Sequence, residues 1–241
     1  MSSYLFVLLL GLLAGSVGGI VGTGSSIIML PVLVVTFGPK QAVPIMAVAS
    51  MMANASRVVA WWREIDWKAV AAYGLPGIPA AALGAHTLLI LPPHLIEAML
   101  GLFFIVMIPV RRWLKRVDYK IGLGTLAICG ALIGFLTGVV LSTGPLSVPA
   151  FTAYGLVKGA FLASEAASSL LLNVSKVSTF WQFGALPPST LLQGVIVGTS
   201  LMAGTFLGKA VVLRMTTEFF QHLLDVIMLT AGISLLWTAT H

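Results

Sequence analysis

Two related stretches of the sequence place Gly, Ser and Thr inside apolar surroundings. The first, GSVGGIVGTGSSIIMLP, covers 15–31, and the second, GFLTGVVLSTGPLSVP, covers 134–149. In each stretch, apolar residues give way to a cluster of small polar residues and then continue up to a Pro. Inside a membrane an unpaired backbone group is costly, so a helix can break only where protein or water surrounds the break. A helix break that occurs twice in this way indicates the binding site of a transporter.

Anion binding is the chemistry that such breaks predict. A helix that begins at mid-membrane offers free N–H groups and the positive end of its dipole, and Ser or Thr can cap it. Pro145, directly after Gly144, suits the first turn of a helix. The residues predicted to contact the substrate at the breaks are Thr23, Gly24, Ser25, Ser26, Ser142, Thr143, Gly144 and Ser147. The alternative is that these small residues only let helices pack closely.

A second repeated motif adds amides and cations to the candidate site. Asn54-Ala-Ser56-Arg57 recurs 119 residues later as Asn173-Val-Ser175-Lys176. Polar groups within membrane segments usually face the interior of the helix bundle. Asn54 and Asn173 could therefore bond the broken backbone or the substrate, and Arg57 and Lys176 could attract an anion. The competing interpretation is that both cations lie near segment ends and extend to the lipid headgroups.

Two acids and one histidine could carry charge or protons. Glu165 could pair with Lys158 or bind a proton, but its place near the start of a segment favours an interfacial acid close to a helix N-terminus. His222 precedes Asp225 by three residues, so both lie on one helical face. They could relay protons or form a hydrogen-bonded packing pair.

Enzyme activity is not expected from this sequence. The Ser and His residues show no nucleophile–base arrangement, and the His residues lack metal-ligand spacing. The stretch GTFLGKA at 204–210 resembles a phosphate-binding loop, but its glycines are too close together and Ala210 replaces the required Ser or Thr. We therefore expect no metal, no cofactor and no ATP hydrolysis.

The elements that must position these residues are membrane helices. The chain is 59% hydrophobic and only 8% charged, which excludes an ordinary soluble domain. The predicted fold is an all-α polytopic membrane protein with about 8 to 10 membrane segments. The apolar segments run over 4–21, 25–38, 42–62, 68–91, 95–114, 119–141, 145–157, 161–181, 189–212 and 218–240. The segments 25–38 and 145–157 are short for full spans and could be re-entrant.

These segments divide into two homologous repeats, each with a Gly/Ser/Thr-broken helix. The N-terminal repeat covers 1–114 and the C-terminal repeat covers 119–241. The connection 111–120 holds five of the thirteen basic residues and is predicted to be cytoplasmic. If each break interrupts one crossing, each half has four crossings and the halves are parallel. If each break separates two short segments, each half has five crossings and the halves are inverted, which fits the distribution of basic residues better.

The sequence resembles the TauE/SafE family of membrane transporters, also called the sulfite exporter or DUF81 family. The resemblance rests on GGIVGTGSSIIMLP, its counterpart VVLSTGPLSVP, the Asn-x-Ser-Arg/Lys motif and the basic middle loop, and it covers nearly the whole chain. It implies a small permease of the bacterial or archaeal plasma (inner) membrane. It also implies that the substrate is sulfite, a sulfonate such as sulfoacetate, or a related organosulfur anion.

The function expected from the sequence is secondary transport of a small organosulfur anion by alternating access. The expected partners are the small-molecule anion and the lipid bilayer, without nucleic acid, and a homodimer is compatible with the sequence. One alternative is a passive anion channel, which needs only a single gate. Another is a membrane subunit that does not transport, in which the Gly and Ser clusters serve only for packing.

Overall fold

The structure, a computed structural model, describes residues 9–16, 24–116, 119–140, 144–207 and 217–240. Within these ranges every regular element is a helix. Helix α1 contains residues 9–16. The remaining helices are α2 (Gly24–Phe37), α3 (Pro39–Trp61), α4 (Trp67–Ile90), α5 (Pro93–Arg116), α6 (Leu123–Val140), α7 (Gly144–Tyr154), α8 (Lys158–Gln182), α9 (Pro188–Leu207) and α10 (Thr217–Thr240), with a 3-10 turn at Trp62–Glu64. The all-α prediction is therefore confirmed.

Among the described residues, three helical stretches are long and apolar enough to cross a membrane, namely Lys40–Glu64, Trp67–Ile90 and Pro93–Val110. Helices α2 and α7 contain only 14 and 11 residues. At about 1.5 Å per residue these helices extend about 21 Å and about 17 Å, whereas a hydrocarbon core is about 30 Å thick. Over their described lengths, neither α2 nor α7 crosses a bilayer alone.

Each short helix is joined to a long helix through a glycine with positive φ. Gly38 (φ 78°) connects α2 to α3, and Gly155 (φ 108°) follows α7 shortly before α8. Glycine adopts this backbone conformation without the steric cost that a side chain would bring. The same short-helix, glycine, long-helix unit thus occurs in both halves of the chain.

Helices α4 and α6 pack closely through glycines spaced four residues apart. Gly130 lies against Tyr73, Gly134 against Gly77, and Gly138 against Ala81. The residue numbers of the contacting pairs increase together along both helices, so α4 and α6 run parallel. Small residues at this spacing let two helix backbones approach each other in lipid.

Gly134→Ala is expected to destabilise the protein by about 1–3 kcal/mol, because overpacking forces the backbones apart. A β-carbon at position 134 would lie 2.7 Å from the Gly77 carbonyl oxygen. Gly124→Ala on the same helix is the matched control, since no atom lies within 4 Å of its β-carbon position. Thermal unfolding in detergent measures both variants. Equal unfolding temperatures for the two would contradict the close contact.

Helices α3 and α8 occupy the centre of the bundle. All residues of 42–50 on α3 and 163–168 on α8 are buried, as expected for helices surrounded by protein. Arg57 pairs with Glu165, and Gly159 lies against Trp61 and Glu64. As the residue number increases along α3, the number of the contacting residue on α8 decreases. These two helices therefore run antiparallel.

Helices α5 and α10 form a second antiparallel pair. Gly101 lies against Gly232, and Arg112 pairs with Asp225. By contrast, α9 runs parallel to α3, because Gly194 lies against Val48 and Gly198 lies against Met52. These directions fix which ends of the helices meet around the candidate site.

Candidate functional site

A buried ion pair joins the two central helices. Arg57 on α3 and Glu165 on α8 are separated by 3.1 Å between Nη1 and Oε2, and their side chains are only 9% and 3% exposed. The hydroxyl groups of Ser147 and Ser169 donate to Glu165 Oε1 at 3.0 and 2.9 Å. Arg57 Nη2 also donates to Asn54 Oδ1. The carboxylate is therefore both neutralised and hydrogen-bonded, which a charge in a low-dielectric interior requires.

These contacts revise two interpretations made from the sequence. Glu165 is buried rather than interfacial, and it pairs with Arg57, whereas Lys158 is exposed. Arg57 points into the protein and does not extend to the headgroups. The reason is that Glu165 lies two turns inside α8, on a face covered by α3.

Lys176 is a buried cation of a different kind. It is fully buried, and its Nζ donates to the carbonyl oxygen of Thr137 at 3.2 Å. Thr137 lies in the last turn of α6, where carbonyl groups lack partners within the helix and the dipole is negative. Among the described residues, no carboxylate pairs with Lys176. A positive charge on this amine would have no carboxylate partner in the described part of the bundle, which is costly unless an anion joins it.

Other polar side chains near the middle of α3 and α8 are buried as well. Asn173 is 4% exposed. The hydroxyl groups of Ser50 and Ser168 are buried without a hydrogen-bond partner in the described part of the chain. Buried polar groups are nearly always paired in native proteins, so each unpaired group needs an explanation.

The structure places the predicted residues of the helix breaks as follows. Gly24 and Gly144 are the first described residues of α2 and α7. Ser25 is buried and Ser26 is half-buried, while Ser147 in the first turn of α7 binds Glu165. Thr23, Ser142 and Thr143 lie outside the described residues. The described residues on either side of the predicted second break make contacts with α8, since Thr137 accepts from Lys176 and Ser147 donates to Glu165.

These features amount to a charged and polar site between the described ends of α6, α7, α3 and α8, within an apolar helical bundle. The family model described as Sulfite exporter TauE/SafE matches residues 7–235. The chain belongs to the TauE/SafE sulfite exporter family. No curated protein and no solved structure matches the chain. As a TauE/SafE protein it is an integral membrane protein of a transporter family that moves sulfite or related anions.

The remaining predicted residues of this TauE/SafE protein lie elsewhere. Asp225 on α10 accepts from Arg112 on α5, with the carboxylate 2.5 Å from Nη2 and 3.2 Å from Nε. The Arg112 side chain is 60% exposed, so the pair contributes only about 0–1 kcal/mol to stability. Asp225 therefore joins two helices near the basic loop. The side chain of His222, its predicted partner, lies outside the described residues.

Sequence reasoning missed one contributor to the candidate site. The Thr137 carbonyl, which accepts from Lys176, belongs to the main chain, so no residue type marks it.

Proposed function

We propose that the chain is a secondary transporter of a small organosulfur anion such as sulfite or a sulfonate. The substrate binds between the two helix breaks, near Lys176 and Asn173, and the protein works by alternating access. The observation that carries this proposal is the buried Lys176, which lacks a carboxylate partner among the described residues. An anion that bound there would neutralise the charge and supply acceptors for the adjacent donors.

The helix directions support two inverted repeats, 1–114 and 119–241. Helices α3 and α8 carry the repeated Asn-x-Ser-Arg/Lys motif and run antiparallel, and α5 and α10, which end the two repeats, do so as well. Equivalent helices would run in the same direction if the repeats were parallel. Inverted repeats commonly place the substrate near the bilayer midplane, at discontinuous helices.

Burial of the site supports alternating access over an open pore. Lys176 and Asn173 are 0% and 4% exposed, so an anion reaches them only after the surrounding helices move. Movement of one repeat against the other would open the site first to one side and then to the other. Because the sequence contains no ATP-binding motif, we infer that transport is driven by an ion gradient or by the anion's own gradient, across a bacterial or archaeal inner membrane.

Ligand-dependent thermal stability of the detergent-purified protein tests binding directly. We expect sulfite or a sulfonate to raise the unfolding temperature, because a ligand at 100 times its Kd stabilises the native state by about 2.7 kcal/mol. Taurine, thiosulfate, sulfate and short carboxylates complete the panel and rank the candidate substrates. The absence of stabilisation by every anion at high concentration would overturn the proposal.

Flux in proteoliposomes separates a transporter from a channel. An alternating-access transporter exchanges labelled internal anion for unlabelled external anion faster than it releases the label alone. A passive channel shows no such acceleration. Anion binding without any flux would instead favour a membrane subunit that does not transport.

A further inference from the structure

We infer that Glu165 occupies, in one repeat, the place that the substrate's anionic group takes in the other repeat. This inference rests on the proposed function and adds which side chains hold the substrate and why there is one anion site per chain. It compares two groups of residues. The Glu165 set is Asn54, Arg57 and Ser169, which surround Glu165, and the Lys176 set is Ser50, Asn173 and Lys176.

The 119-residue offset between the repeats relates the two sets residue by residue. Asn54 corresponds to Asn173, and Arg57 corresponds to Lys176. The same offset takes Ser169 back to Ser50. These three positions keep an amide, a cation and a hydroxyl. Glu165 is the exception, because its counterpart is Met46, a buried apolar residue.

The hydrogen bonds of the two sets differ because the Glu165 set contains a carboxylate and the Lys176 set does not. Ser169 donates to Glu165, whereas the Ser50 hydroxyl has no partner in the described structure. Arg57 is neutralised by Glu165, whereas the partner of Lys176 within the described ranges is the uncharged Thr137 carbonyl. The donors of the Glu165 set therefore have an anionic acceptor, whereas the donors of the Lys176 set could still bind an anion.

The antiparallel register of α3 and α8 places Met46 level with Lys176. Arg57 lies opposite Glu165. Moving 11 residues toward the start of α3 from Arg57 reaches Met46, and moving 11 residues toward the end of α8 from Glu165 reaches Lys176. The two sets are thus separated by about 16 Å along the helices.

Ser50 and Asn173 belong to the same level of the bundle. Ser50 lies four residues after Met46, and Asn173 lies three residues before Lys176, so each shares a helical face with its neighbour. One ammonium, one hydroxyl and one carboxamide therefore surround the place where the first repeat has no carboxylate. A single anionic group of the substrate fits there, while Glu165 keeps the corresponding place in the other repeat filled.

Met46→Glu tests the inference by supplying the missing carboxylate. In the full-length purified protein, the new carboxylate would pair with Lys176 and compete with sulfite and sulfoacetate at a high effective concentration, which should weaken their binding by about 100-fold or more. Met46→Gln is the matched control, since it is similar in size and uncharged, and it should retain the ligand-induced rise in unfolding temperature. Binding to Met46→Glu with the affinity of the natural protein would overturn the assignment.

A double-mutant comparison tests the register without any ligand. Met46→Glu should lower the unfolding temperature much more in a Lys176→Gln background than alone, because only Lys176 neutralises the new carboxylate. Equal effects in both backgrounds would overturn the placement of Met46 opposite Lys176. If this coupling is present but the natural protein binds no anion, the anionic substrate is wrong, and the site assignment fails with it.

Two partnerless hydroxyls provide a milder test that does not introduce a buried charge. Ser50→Ala should weaken anion binding by about 10-fold, the cost of one hydrogen bond to a charged group, and should not destabilise the protein. Ser168→Ala removes a hydroxyl of the same type outside the Lys176 set and should leave binding unchanged. An equal change in affinity for the two variants would contradict the inference.

Discussion

Replacing Lys176 with Gln is expected to abolish anion binding and transport while leaving the unliganded protein at least as stable as the natural protein. Lys176 is fully buried, and the Thr137 carbonyl is its hydrogen-bond partner among the residues that the structure describes. Gln keeps a donor for that carbonyl and removes a buried charge that lacks a counter-ion among the described residues, so its desolvation cost disappears. The bound anion, by contrast, loses its neutralising charge. Truncating one partner of a buried charge pair typically costs 2–5 kcal/mol or more in binding, which corresponds to about 30-fold or greater loss of affinity.

The control for this variant is Lys158→Gln, which makes the same charge change at an exposed position of the same helix. Thermal unfolding with and without sulfite, together with flux in proteoliposomes, measures both variants. A site role predicts loss of binding in a folded protein, whereas a packing role predicts loss of the folded protein. Retained anion stabilisation in Lys176→Gln would remove Lys176 from the site.

The helices could be predicted from the sequence because membrane helices have strong local determinants. Long apolar segments separated by short polar connections placed α3, α4 and α5 within a few residues of their observed bounds. The predicted segments 25–38 and 145–157 also overlap α2 and α7, because Gly, Ser and Pro mark helix starts locally. The division into repeats and their inversion remain predictions, which the helix directions support.

The pairing at the site could not be predicted in the same way because it depends on distant contacts. Glu165 lies near the start of its segment, which alone favours an interface, yet α3 covers it with a guanidinium from 108 residues earlier in the chain. The sequence also left two alternatives for Lys176, headgroup contact or substrate binding. Its burial at the centre of the bundle excludes the first. One sequence feature could have indicated the difference, since Met46 interrupts an otherwise matched set of polar residues.

Replacing Glu165 with Ala is expected to cause the largest loss of stability among the polar substitutions considered, about 3–5 kcal/mol. The substitution leaves the Arg57 guanidinium buried without a counter-ion among the described residues, and the Ser147 and Ser169 hydroxyls lose their acceptor. Chemical or thermal unfolding in detergent measures the loss. Asp66→Ala serves for comparison. Asp66 caps the start of α4 by accepting from the Lys68 and Ala69 N–H groups, and loss of such a cap is expected to cost only about 1 kcal/mol.

A second substitution shows whether the loss comes from the unpaired guanidinium. Arg57→Met combined with Glu165→Met removes both charges, and replacing a buried ion pair with apolar residues is often neutral or stabilising. The double variant should therefore recover most of the stability that Glu165→Ala loses. It should also still bind the anion, because the Lys176 set is intact.

If the double variant is as unstable as Glu165→Ala, the carboxylate stabilises the protein mainly by holding α7 to α8 through Ser147 and not by neutralising Arg57. If it loses anion binding while folded, the substrate depends on the Glu165 set directly, and the assignment of that set to an internal carboxylate is wrong.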